Sequence, residues 1–174
     1  MKSRFRLYHR SSSEEKLAAS RARFGLFQSR SVRRLVLLLA LAVAIRRWAW
    51  MPAFIVGDSM LPALHAGQIV AVNKLIYIFE APRRGDVVEI WTDKELMTKR
   101  VIGLPNEEMA VRDGAFYIDG RPLAEPYVQF KDHNTITSGR IGLNQFVVAG
   151  DNRPRSLIAV VNRNRIIGRV RHTE

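Results

Sequence analysis

The sequence predicts a mostly β domain preceded by an N-terminal transmembrane helix, a reading that three observations carry. Beyond residue 56 the apolar residues fall in short stretches broken by Gly, Pro and Asp, the punctuation of strands and turns. No helical period of useful length occurs in that part. Ahead of it, one long apolar run follows an arginine-rich head. A chain of 174 residues suffices for one domain with its own core plus a short appendage.

Residues 1–34 hold ten Lys/Arg against two Glu and show no sustained apolar period. A short helix over 13–22, capped by Ser12 or Ser13, is the one element they suggest. Next comes LVLLLALAVAI (35–45), too short by itself to cross a bilayer, which takes about 20 residues. Continued through RRWAWMPAFIV, the run spans 35–56 with only Arg46, Arg47 and Pro52 interrupting it. Arginines near a helix end can snorkel, and Trp48 and Trp50 suit the wet edge of a membrane. The basic head is then the cytoplasmic flank, and residues 51–56 graze the membrane surface. A cleaved secretory signal competes with this anchor, because Ala40, Ala42 and Ala44 fit the exit of such a segment; the long head favours the anchor.

Residues 57–174 form the β domain, with strands expected at 68–73, 86–91, 97–102, 115–118, 146–149 and 165–170. In AFYIDGRPL, Asp119-Gly120 supplies the positive φ angles of a two-residue hairpin turn. The chain carries a formal charge of +12, yet this domain holds sixteen basic against fourteen acidic residues. The excess therefore lies in the head, which argues against a nucleic-acid partner.

Chemistry can be narrowed by elimination. Without cysteine there is no disulfide, thiolate metal site or cysteine nucleophile. The four histidines, His9, His65, His133 and His172, are scattered outside any ligand spacing, so no metal is expected. Phosphate-binding glycine loops and the G-x-S-x-G elbow are missing too. What remains is Gly57-Asp58-Ser59-Met60-Leu61-Pro62, where a serine beside glycine can present both its hydroxyl and its N–H. A turn serine is the bland alternative. Its candidate partner is Lys99 in MTKRVI (97–102), where strand alternation puts Lys99 on the face of Met97 and Val101 and points Arg100 the other way. An amine on an apolar face loses hydration, which lowers its pKa and lets it serve as a general base without histidine. An exposed surface lysine is the bland reading here.

Taken in order, these segments resemble type I signal peptidases, the membrane serine proteases with a Ser-Lys dyad that remove signal peptides from exported proteins. GDSMLPAL (57–64) resembles the nucleophile box, RRGDVVEIW (83–91) the strand after it, KRVIGLPNE (99–107) the lysine box and AGDNRPRS (149–156) the final box. FYIDGRPLAEPYV (116–128) is similar to the hairpin between the last two. The resemblance implies a signal-peptidase-like β-rich catalytic domain on the outer face of the cytoplasmic membrane, single-pass, without metal or cofactor. Ser59 is then the nucleophile and Lys99 its base, with Gly57, Asp58, Met60, Pro62 and Arg100 around them. Ser156 inherits a hydrogen bond to the lysine, and Gly150, Asp151, Asn152 and Arg153 build the adjacent turn. Gly57 resembles variants lacking a hydroxyl there, leaving the oxyanion to backbone N–H groups, chiefly that of Ser59. The implied partners are membrane lipids and preproteins with small residues, typically alanine, at the first and third positions before the scissile bond.

Two departures stand out. Ser156 is followed by LIAVVNRNRIIGRV where the family usually continues with an Asp-Ser-Arg run, so the usual Asp-Arg supports are missing. Asn106 replaces the common glycine after Pro105, a mild change because Asn tolerates left-handed backbone angles. The shortened box keeps a dedicated processing peptidase, such as one for conjugation pili, as an alternative. A catalytically inactive scaffold is a further alternative, against which intact Ser59 and Lys99 speak.

Overall fold

The computed structural model describes residues 30–171. Most of the head, including the short helix expected over 13–22, lies outside the described residues. The chain divides into two compact units, Met1–Arg47 and Trp48–Glu174.

Helix α1 (Arg30–Ala49) carries the apolar run. Its leucines are exposed around the helix, Leu37 at 68% and Leu39 at 58%. Arg33 and Arg34 at one end and Arg46 and Arg47 at the other leave only residues 35–45 uncharged between them. Among the described residues no helix is long and apolar enough to cross a membrane. The helix stops at Ala49 because Pro52 lacks an N–H and cannot continue it. Residues 50–54, expected in the membrane-proximal segment, instead form strand β1 (Trp50–Phe54) paired with β2 (Ile69–Asn73). Pro52 is tolerated because β1 is an edge strand.

The second unit is built from two antiparallel sheets. Besides β1 and β2, the larger contains β3 (Val87–Trp91), β4 (Leu96–Gly103), β9 (Gln145–Ala149), β10 (Ala159–Asn162) and β11 (Ile166–Arg171), in the order β1-β2-β11-β3-β4-β9-β10. The smaller holds β5 (Glu108–Arg112), β6 (Ala115–Ile118), β7 (Arg121–Pro122) and β8 (Ile136–Arg140), in the order β7-β6-β5-β8. A four-residue helix, α2 (Ile76–Phe79), follows β2. All six expected strands are present, shifted by no more than a residue at either end. Strands β1, β5, β8 and β10 and helix α2 were not expected. At the β6–β7 turn Asp119 and Gly120 have φ of 49° and 77°, and Ile118 pairs with Arg121, as a two-residue turn requires. Asn106 takes φ 69°, the left-handed conformation anticipated for it.

Three apolar clusters hold the unit together. One decides where the functional loop sits: Ile55, Met60 and Leu64 pack onto Val70, Val72 and Val87. Met60 and Leu64 are fully buried, and each contributes about 1.5–3 kcal/mol relative to exposure. Met60, placed by the resemblance beside the dyad, belongs to the core.

Candidate active site

Ser59 follows β1 in a loop that reverses direction at Gly57, whose φ of 81° suits glycine. Behind it, Leu64 N–H donates to the Met60 carbonyl at 2.9 Å. The Leu61–Pro62 peptide is cis, with Pro62 half-buried. From the far side Asn152 clamps the loop: its backbone N–H donates to the Ser59 carbonyl and its side-chain Nδ2 to the Asp58 carbonyl, both at 3.0 Å. Arg155 Nη1 pairs with Asp58 Oδ2 at 2.7 Å. Two carbonyls are thereby consumed, while the Ser59 N–H donates to no partner among the described residues.

Lys99 reaches this loop from β4. Its Nζ lies 2.9 Å from Ser59 Oγ, a hydrogen bond joining residues 40 positions apart. Only 7% of Lys99 is exposed, so the exposed-lysine reading does not hold. Desolvation pushes its pKa below the ordinary lysine value, and the charges of Asp151 and Glu95 oppose that shift. A buried amine that loses its proton this way can accept one from the hydroxyl it touches.

The neighbouring side chains are fixed by charge. Arg100 binds Asp151 through two bonds, Nε to Oδ1 at 2.8 Å and Nη2 to Oδ2 at 2.6 Å, and lies 4.1 Å from the Tyr127 ring centroid. Asp151 is 0% exposed. Arg153 donates to the Gly150 carbonyl at 2.9 Å and to Glu125 at 2.6 Å. Burial, and then the charge and hydrogen bond of Glu125, raise the Tyr127 pKa, so its hydroxyl stays protonated and donates to Glu125. The GDNR segment thus does more than turn the chain: it supplies a buried ion pair, a clamp and a strut.

Ser156 differs from the expectation. Its Oγ accepts the Gly150 N–H at 2.7 Å and donates to the Leu157 carbonyl at 3.2 Å, so its one hydroxyl proton goes to its own turn rather than toward Lys99. Gly150 is wedged between this serine and the loop. A Cβ there falls under 3.0 Å from both the Ser59 carbonyl oxygen and Ser156 Oγ. Gly150→Ala is therefore expected to cost about 1–3 kcal/mol through overpacking against backbone. Gly139→Ala, where an added Cβ meets open space, is the control that leaves thermal unfolding unchanged.

Ser59 and Lys99 border a cavity of about 400 Å³ whose walls come from residues 54–60 of the loop and 95–99 of β4 and its approach, with Leu157 closing one side. Glu89, buried within the VVEIW strand, also lines it. Sequence reasoning missed Glu89, the Asn152 clamp and the pairing of Arg100 with Asp151. Its one available signal was a lone carboxylate amid apolar strand residues. Among the described residues no group of His, Asp and Glu could hold a metal ion.

Comparison with known proteins identifies the family of the chain. Residues 28–173 match the family described as signal peptidase, peptidase S26. A signal peptidase I of Leptolyngbya laminosa is 34% identical over 79% of this chain and 75% of its own. One from Bacillus amyloliquefaciens is 32% identical over 77% of this chain and 78% of its own. A crystal structure of a signal peptidase I from Enterococcus faecalis V583 aligns with 26% identity and a TM-score of 0.44, over 52% of this chain and 97% of that one. The chain belongs to the signal peptidase family, peptidase S26, and is a serine peptidase of that family.

Proposed function

We propose that this protein removes signal peptides from exported preproteins through an acyl-enzyme formed on Ser59, with Lys99 as general base. The observation that carries the reading is the 2.9 Å contact between the Ser59 hydroxyl and a buried amine. As Oγ attacks the scissile carbonyl, its proton passes to neutral Lys99 Nζ. The tetrahedral oxyanion is met by the unengaged Ser59 N–H, a donor aimed where charge develops. The Lys99 ammonium then protonates the departing amine, leaving the signal peptide as an ester on Ser59. A water molecule gives its proton to the amine again and releases the carboxylate product. No cofactor enters these steps.

Substrate choice follows from the cavity. An extended chain places alternate side chains on one face, so the first and third residues before the cut enter the same cavity, and small side chains such as alanine are the ones the signal peptidase reading assigns to them. Phe54, Val56 and Leu157 line the cavity yet stand 63%, 84% and 78% exposed, an apolar rim fit to meet lipid. With the basic head, this supports residues 1–34 in the cytoplasm, the apolar run from residue 35 as anchor, and the peptidase domain, whose larger sheet begins with β1 at residue 50, outside the cytoplasmic membrane. Arg46 and Arg47 then snorkel to the interface.

The test is cleavage of a precursor carrying an Ala-x-Ala site by the full chain in detergent, followed across pH. Desolvation lowers the Lys99 pKa, so the neutral base accumulates, and the rate rises, at pH values below the 10.5 of ordinary lysine. A rate that follows an unshifted amine, or no cleavage at any pH, sinks the mechanism. Release of the protein from membranes by carbonate washing counts against the anchor.

A further inference from the structure

The cavity holds one carboxyl that this mechanism does not use. Glu89 occupies the middle of β3, in a run otherwise made of Val, Ile and Trp, and is 3% exposed. Its Oε2 accepts a hydrogen bond from Thr98 Oγ1 at 2.7 Å. Its Oε1 accepts none among the described residues, although no described side-chain oxygen sealed from solvent lacks a partner. Oε1 therefore opens into the cavity that Glu89 shares with Ser59 and Lys99.

Such a group is costly without a role. A carboxyl offers about four acceptor sites, and one donor leaves it poorly compensated once water is displaced. Burial accordingly pushes its pKa upward, with the Thr98 hydroxyl pulling the other way. A valine at this place completes an apolar wall with no such cost. Filling the cavity with substrate dries Oε1 unless the substrate brings a donor.

The cavity says which substrate residue arrives there. On an extended substrate the first and third residues before the cut point to one side. With the first against Ser59 and Lys99, the third is the other side chain that enters the cavity, and Glu89 lines that same cavity.

We infer that Glu89 determines specificity at the third residue before the scissile bond, favouring a hydroxyl side chain, serine above all, that donates to Oε1. The inference rests on the signal peptidase reading. Serine adds a single oxygen to alanine, so the requirement for a small residue is kept.

The experiment uses the full chain in detergent and three precursor peptides identical except for Ser, Ala or Val at the third position. Wild type is expected to prefer Ser over Ala by about fivefold and over Val by about tenfold in kcat/KM, mainly through KM. Glu89→Val is expected to cancel that preference and rank Val at or above Ser. The wild-type Ser/Ala ratio rises with pH as the carboxyl ionises and becomes the stronger acceptor, whereas Glu89→Gln, which keeps the shape, gives a ratio flat with pH. Lys99, Glu95, Asp58 and Arg155, the other charged groups lining the cavity, act on both peptides alike and cancel in the ratio. Should Glu89→Val fail to fold, the pH dependence of wild type against Glu89→Gln decides. Equal cleavage of all three peptides by wild type, an unchanged ranking in Glu89→Val, or a wild-type ratio as flat as that of Glu89→Gln overturns the assignment. Cleavage of none of the peptides removes the peptidase reading itself.

Discussion

Ser59→Ala and Lys99→Ala each lose roughly 10⁴-fold or more of precursor cleavage, and the double variant is no worse than the poorer single one. The non-additivity follows from one shared proton. Without the hydroxyl there is nothing to deprotonate, and without the amine the hydroxyl of Ser59 loses its one side-chain partner among the described residues. Lys99→Arg is expected to be as inactive as Lys99→Ala, because a guanidinium never gives up its proton to become a base. Lys99→Met separates catalysis from folding. It keeps the length of the side chain and removes an amine whose burial is unfavourable, so cleavage vanishes while the unfolding temperature holds or rises. Single-turnover assays beside thermal unfolding read both quantities. Cleavage by Lys99→Met within tenfold of wild type contradicts a Ser-Lys dyad.

The parts legible in the sequence were those fixed by local pattern. Residues 115–118 are a short β-type run that leads into Asp-Gly, which defines both strand β6 and its turn without reference to the rest of the fold. Strand β8, ITSGR, is exposed along its whole length, so no apolar alternation exists to be read. Strand β1 was hidden because its residues continue an apolar run; only Pro52 marked where the helix had to stop. The site divides in the same way. The Gly-Asp-Ser loop and a lysine among apolar strand residues are local signals. Arg100 and Asp151 lie 51 positions apart, and nothing local announces that two charges will be buried together. Glu89 escaped for a related reason. Period-two reasoning assumes one wet face, whereas β3 sits between β11 and β4 with four of its five residues buried.

Asp151→Ala is expected to cost about 3–5 kcal/mol, the penalty for breaking a buried ion pair by removing one member. Arg100 keeps its bond to the Gly85 carbonyl and its contact with the Tyr127 ring, but loses both carboxylate oxygens at 2.8 and 2.6 Å. For a chain of this length that loss lowers the unfolding temperature by roughly 10 °C. Arg100→Met/Asp151→Ala is less destabilised than Asp151→Ala, since it also removes the buried guanidinium that lost its carboxylate. If the double variant is the less stable of the two, the pair is not the unit described here. Asp151→Asn carries a second, catalytic signature. The negative charge of Asp151 holds the Lys99 pKa up against desolvation, so neutralising it lets that pKa fall further. The neutral base is then present at lower pH, and the rising limb of the pH–rate profile moves to more acidic values even as the protein becomes less stable. A merely structural role for Asp151 predicts lost stability with the limb unmoved. The ion pair beside Lys99 therefore sets both the rigidity of the nucleophile loop, through Gly150 and Asn152 on either side of Asp151, and the pH at which the loop's serine can be activated.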